Sequence, residues 1–170
     1  MTGLFGQEYW DQKRNTKYNH EGVDFAGNKG TPVCSLIHAK VVGMGWTNTT
    51  YGKVILFANE NGKGMYMIAH LNDDDVPGIQ AGVSVSPGQA VAYVGGSAYE
   101  GGKKPDYWAY HLHVSYYDVQ YDEASDDKYI GKTNEDLIQF RQIVGYNRES
   151  ERNPFWHASG RCMENNATNR

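Results

Sequence analysis

Tyr107-Trp108-Ala109-Tyr110-His111-Leu112-His113-Val114-Ser115-Tyr116 reads as a β-strand with different work on its two faces. Side chains alternate across a strand, so Tyr110, Leu112, Val114 and Tyr116 face one way and Ala109, His111, His113 and Ser115 the other. The first set is a core face. The second holds two imidazoles side by side, which repel once protonated and need several polar partners if buried. A metal ion, or a metal ligand beside a general base, resolves that tension; on this motif alone, a structurally satisfied pair is the alternative.

Working outward, Asn19-His20-Glu21-Gly22-Val23-Asp24-Phe25 shows the same two-residue period. His20, Gly22 and Asp24 share one face while Val23 and Phe25 face the core, and Gly22 leaves room between the two polar side chains. Lys53-Val54-Ile55-Leu56-Phe57-Ala58 is rich in β-branched and aromatic residues and is the most strand-like run of the chain. Asn61-Gly62-Lys63-Gly64 is a hairpin signal into the strand ending at His70. Gly30-Thr31-Pro32-Val33 turns into a strand, and Lys40 to Met44 form another. The stretch 95–105 is Gly-rich and reads as a flexible loop feeding the His-x-His strand. With Tyr99, Tyr107 and Trp108 it supplies a wall for a substrate groove. Asp73-Asp74-Asp75 lacks the register of an EF-hand and reads as a solvated turn.

The 170 residues make one domain with its own core. Residues 1–17 are expected as an extended lead-in on its surface, and 18–117 as the domain. Residues 118–170 are a C-terminal extension. In it, Thr133-Asn134-Glu135-Asp136 forms a capping signal for a short helix over about 134–144, packed on the domain and stopped by Gly145. The 20 glycines lie well above the average usage of about 7% and fall between short apolar runs, so the class is mainly β with that one helix. A net charge of −4 without a Lys or Arg run offers nothing to nucleic acid or an anionic membrane surface. No stretch reaches the roughly 18 apolar residues of a membrane-spanning helix, so insertion is not expected, and a monomer is favoured. The first ten residues have no basic then apolar succession of a signal peptide. Cys34 and Cys162 are one bridge or two buried thiols.

Zinc favours imidazole nitrogen and carboxylate oxygen, and a catalytic zinc keeps three protein ligands and one open position. The histidines and the aspartate, in their order and spacing, resemble the LytM/lysostaphin-type zinc endopeptidases of peptidoglycan, peptidase family M23. The resemblance spans His20 to Ser115. It rests on His-x-x-x-Asp at 20 to 24, Gly-Thr-Pro-Val at 30 to 33, Val-Val-Gly-Met-Gly-Trp at 41 to 46 and Ala-His-Leu at 69 to 71. Val-Ser-Pro-Gly-Gln at 85 to 89 and His-Leu-His at 111 to 113 complete it. It implies a small antiparallel β-sheet domain whose groove is lined by loops, with one zinc ion per chain on His20, Asp24 and His113. His70 and His111 are then the catalytic, non-ligand histidines. The implied activity is hydrolysis of peptide bonds in peptidoglycan stem peptides or cross-bridges, extracellular or periplasmic, at the cell wall. With no signal peptide in the chain, the leader is absent or delivery is by a phage. His38-Ala39 replaces the polar-Gly turn usual in the family, the loop from Ser97 to Tyr110 is longer than expected, and the tail after Tyr117 has no counterpart. Two other classes compete: a catalytically inactive LytM-type binding or activator module, and a non-haem iron enzyme with a two-histidine, one-carboxylate triad. The full ligand set argues against the first, and the two additional histidines against the second.

Overall fold

The computed structural model describes residues 3–11, 15–60, 63–121 and 129–130. The expected helix at 134–144, His157 and Cys162 lie outside them. The regular structure of the described residues is β throughout, and no helix among them is long and apolar enough to cross a membrane.

In chain order the strands are β1 (Glu8–Asp11), β2 (Thr16–Asn19), β3 (Val23–Ala26), β4 (Pro32–Cys34), β5 (Ala39–Trp46), β6 (Lys53–Asn59) and β7 (Lys63–Ala69). They continue with β8 (Ser84–Val85), β9 (Ala90–Tyr93), β10 (Ala98–Tyr99), β11 (Lys103–Lys104), β12 (His111–Tyr121) and β13 (Tyr129–Ile130). The main sheet runs β13-β12-β7-β6-β5-β8, and β3 joins β12 on the edge away from β7. All of its pairings are antiparallel. Its centre is β6 and β7, whose apolar runs are buried on both faces, as strands covered on each side must be. Phe57 stacks on Tyr66 with ring centroids 4.5 Å apart, and Val23, Phe25, Ile68, Leu112 and Val114 close the same core. Burying each such side chain is worth about 1.5–3 kcal/mol. β4 and β9 form a separate two-stranded sheet over this core, with Val33, Cys34 and Val91 buried.

The alternation expected for the His-x-His stretch holds over Leu112, His113, Val114 and Ser115 but not before His111. Tyr107 to Tyr110 are not strand, and Tyr110 is 42% exposed instead of lying in the core. The cause is local: the amides of Tyr107 and Trp108 both donate to the carbonyl of Gly96, so they are unavailable to a neighbouring strand. Nor is 95–105 a plain flexible loop, since it folds as the β10–β11 hairpin with Ser97 fully buried. The lead-in likewise has structure of its own. β1 and β2 pair antiparallel, Asn15 just before β2 lies in the left-handed region, and Tyr9 stacks on Tyr18 at 5.7 Å.

Candidate metal centre

Strand register builds the site. In β12, His113 is paired with Asp24 of β3 on one side and with Ala69 of β7 on the other. Directly paired residues project from the same face about 4.5–5.5 Å apart at Cβ, so His113 and Asp24 must meet. The residue after Ala69 is His70, which leaves the strand with φ of 58°, a left-handed conformation that histidine adopts more readily than most residues. His20 precedes β3 and reaches the same point. Gly22 is required for this: a Cβ there would lie 2.5 Å from His113 Cε1 and 2.5 Å from the Val114 carbonyl oxygen. The space left by Gly22 is therefore filled by the His113 ring.

Three atoms converge. His20 Nε2 lies 3.0 Å from His113 Nδ1 and 3.2 Å from Asp24 Oδ1, and His113 Nδ1 lies 2.9 Å from Asp24 Oδ1. A tetrahedral ion with ligand atoms at about 2.0–2.1 Å holds those atoms about 3.3 Å apart, close to the edges of this triangle. Their chemistry fits as well. His20 Nδ1 is 3.1 Å from the Leu4 carbonyl, which only accepts, so that nitrogen carries the proton and Nε2 presents a lone pair. His113 Nε2 is 2.7 Å from the Ser115 hydroxyl; when that hydroxyl accepts, Nδ1 is the inward lone pair, the tautomer a cation at this point would select. With the Asp24 carboxylate this makes three acceptors aimed at one point, an arrangement that a cation satisfies. Outer hydrogen bonds of this kind are what orient metal-ligating imidazoles.

The other two histidines are oriented the same way. His70 Nδ1 donates to the Ser97 carbonyl at 2.9 Å, and His111 Nδ1 to the Ala109 carbonyl at 2.6 Å, so each keeps its Nε2 lone pair. His111 Nε2 is 3.8 Å from Asp24 Oδ1, and the rings of His70 and His111 lie 4.6 Å apart. Burial pushes the His70 pKa down to about 3, helped by the neighbouring His111 and His113, so His70 is neutral at working pH. Burial also lowers His113. Burial would raise Asp24, but in the metal-free form the facing nitrogens of His113 and His20 can carry protons towards the carboxylate, and these outweigh burial and hold the carboxyl well below its ordinary value. For His20 burial favours the neutral ring, yet the Asp24 carboxylate prevails and raises its pKa.

All five site residues read from the sequence are thus brought together, and His38 is set apart on the surface with an exposed side chain 3.9 Å from Glu60. Besides the Ala109 carbonyl, four participants had not been singled out. Ser115 was legible as the next residue on the His113 face. Ser97 works through its carbonyl to His70, while its hydroxyl accepts from the Lys53 amide at 2.9 Å, and Leu4 also works through a carbonyl, a group every residue has. Tyr51 lays its ring 5.2 Å from that of His113 and 6.3 Å from that of His70, donates its hydroxyl to Glu21 at 2.9 Å, and accepts the His70 amide through its carbonyl. Beside this centre the exposed Trp108 ring lies 6.2 Å from that of His70 and is tied to the Thr50 carbonyl at 3.2 Å, with Tyr107 packed on it at 4.7 Å; Tyr99 and Tyr110 are also exposed.

The model of peptidase family M23 matches residues 18–127, well over half of the chain. Among curated proteins, the glycyl-glycine endopeptidase ALE-1 of Staphylococcus capitis is 30% identical over 132 residues, covering 78% of this chain and 32% of that protein. Lysostaphin of Staphylococcus simulans is 28% identical over 129 residues, 76% of this chain and 22% of its own length. The chain thus spans a third or less of these relatives. Among solved structures, lysostaphin from Staphylococcus simulans superposes with a TM-score of 0.53 at 25% identity over 78% of this chain and 48% of that one. The structure of LytU superposes with a TM-score of 0.58 at 24% identity, covering 92% of this chain and 90% of that one.

Proposed function

Because this chain belongs to peptidase family M23, we propose that it is a zinc-dependent endopeptidase hydrolysing peptide bonds in the stem peptides or cross-bridges of peptidoglycan, outside the cytoplasmic membrane at the cell wall. The observation that carries this reading is the convergence of His20 Nε2, Asp24 Oδ1 and His113 Nδ1 on one point, with two further neutral-capable imidazoles beside it. The curated relatives named as glycyl-glycine endopeptidase and lysostaphin support the substrate class. His20, Asp24 and His113 are assigned as the ligands, and His70 and His111 as the catalytic histidines.

When bound, zinc supplies a Lewis acid that polarises the scissile carbonyl and activates water at neutral pH. The side chains supply the rest. His70 Nε2 and His111 Nε2 handle protons: one, neutral, takes the proton of the attacking water, and the other, once protonated on Nε2, delivers a proton to the departing amine. Such help is worth about 10²–10⁴-fold each. Ser97 and Ala109, through their carbonyls, hold the Nδ1 proton of both rings and so turn both Nε2 atoms to the site. The Asp24 carboxylate balances the charge that accumulates on the imidazoles. The exposed rings of Tyr99, Tyr107, Trp108 and Tyr110 form one wall of an open groove, which suits short flexible peptides on a polymer better than a closed pocket.

Digestion of purified sacculi of several wall types, followed by mass spectrometry of the released muropeptides, tests this. New amino termini at one bond type are expected. Glycan cleavage, or no new amino termini from any wall, contradicts it.

A further inference from the structure

The segment ahead of β1 lies along the residues that carry the site. Its hydrogen bonds go to the backbones of the two ligands that flank Gly22. The Asp24 amide donates to the Gly3 carbonyl at 3.0 Å, the Gly6 amide to the His20 carbonyl at 2.8 Å, and the His20 amide to the Gln7 carbonyl at 2.9 Å. The Leu4 carbonyl accepts twice, from His20 Nδ1 at 3.1 Å and from the Gln7 amide at 3.1 Å. That second bond closes a turn over residues 4–7 with Gly6 at its third position and φ of 73°, a geometry that favours glycine. The Gln7 side chain returns to the Leu4 amide at 3.1 Å, and Phe5 packs against the core. Gly3 is buried where no side chain fits: a Cβ there would stand 2.5 Å from Asp24 Oδ2 and 3.0 Å from His20 Cε1.

We infer that residues 3–7 form a strap that is a built part of the metal centre, setting its affinity by holding His20 through the Leu4 carbonyl and fitting Asp24 against the bare backbone of Gly3. The inference rests on the zinc reading proposed above and goes beyond it, since the match to the family starts at residue 18 and does not include the strap. The carbonyl fixes the His20 tautomer and ring plane. Gly3 occupies the side of Asp24 Oδ2, leaving Oδ1 as the oxygen that faces the two histidines. Partners of this kind change metal affinity about 10–100-fold when lost. The residues of the strap touch no substrate in this account; they are positioning residues.

The test is zinc affinity of the full chain, measured by competition with a chromogenic chelator, alongside thermal midpoints of the metal-free forms. Gly3→Ala is expected to weaken zinc binding 10–100-fold. Gly6→Ala, whose added methyl meets nothing within 4 Å but strains the turn, is expected to weaken it by less, with a metal-free midpoint close to the parent's. Lys17→Ala, in an exposed ion pair on the adjacent β1–β2 pair, is expected to leave affinity within twofold. If Gly3→Ala does not fold, Gly6→Ala carries the test alone. Both folded glycine variants binding zinc within threefold of the parent overturns the strap while leaving the zinc reading intact. A parent that takes up no zinc overturns that reading and the strap with it.

Discussion

At the scale of single residues, the site is a set of imidazoles whose tautomers are assigned by what lies behind them. Ser115 is the clearest case. Its hydroxyl lies 2.7 Å from His113 Nε2 in a fully buried setting, so Ser115→Ala removes the partner of that nitrogen and frees the ring to invert its protonation. The expected outcome is zinc affinity about 10–100-fold lower with an intact fold, read by chelator competition. The proposed catalytic pair is expected to separate in the opposite way. His70→Ala and His111→Ala are expected to hold zinc within a few-fold of the parent while turnover falls about 10²–10⁴-fold, and activity within threefold in both would remove them from the mechanism. His70 also carries a pH signature. Its folded-state pKa lies near 3, below the value of about 6.5 of an unfolded histidine, so below pH 6.5 the unfolded chain binds a proton that the folded chain refuses. Stability is therefore lost as pH falls from about 6.5 towards 3. Urea unfolding of metal-free protein at pH 7.5 and 5 is expected to show a shallower loss in His70→Ala than in the parent; an equal loss would mean that the ring is protonated in the fold.

At the scale of elements, the legible part was what alternates and the illegible part was what closes on itself. The face of β12 holding Leu112 and Val114 against the core, and His113 and Ser115 against the site, followed from a two-residue period. So did Val23 and Phe25 below Asp24, and the strand that ends at His70. Tyr107 to Tyr110 carry the same alternation, yet the Gly96 carbonyl takes two of their amides, a competition between backbone groups that no side-chain pattern records. The β10–β11 hairpin was hidden because it is organised from inside, by Ser97. Its hydroxyl accepts from the Lys53 amide, its carbonyl holds His70, and Gly52 admits it where a Cβ would come within 2.4 Å of the Ser97 carbonyl group. Ser97→Ala strands the buried Lys53 amide. A destabilisation of about 1–3 kcal/mol by denaturant unfolding is expected, with a fall in turnover as His70 loosens, and no change in either quantity would show that the hairpin is held by other contacts.

At the scale of the whole molecule, a β core of ordinary composition holds a polar centre in which ligand atoms of His20, Asp24 and His113 converge. Fold class was readable from the two-residue period, and the five residues singled out by the family resemblance meet at one place because cross-strand register brings their strands together. The carbonyls of Leu4, Ser97 and Ala109 were not readable, because a main-chain acceptor has no residue code. A site assembled from β3, β7, β12 and the strap couples metal to folding, so chelation is expected to lower the thermal midpoint and added zinc to restore it. The most direct test is zinc content per chain after exhaustive dialysis, in the parent and in Asp24→Ala. The account requires one zinc per chain in the parent and essentially none in the variant; stoichiometric zinc retained by Asp24→Ala, or none in the parent, would contradict it.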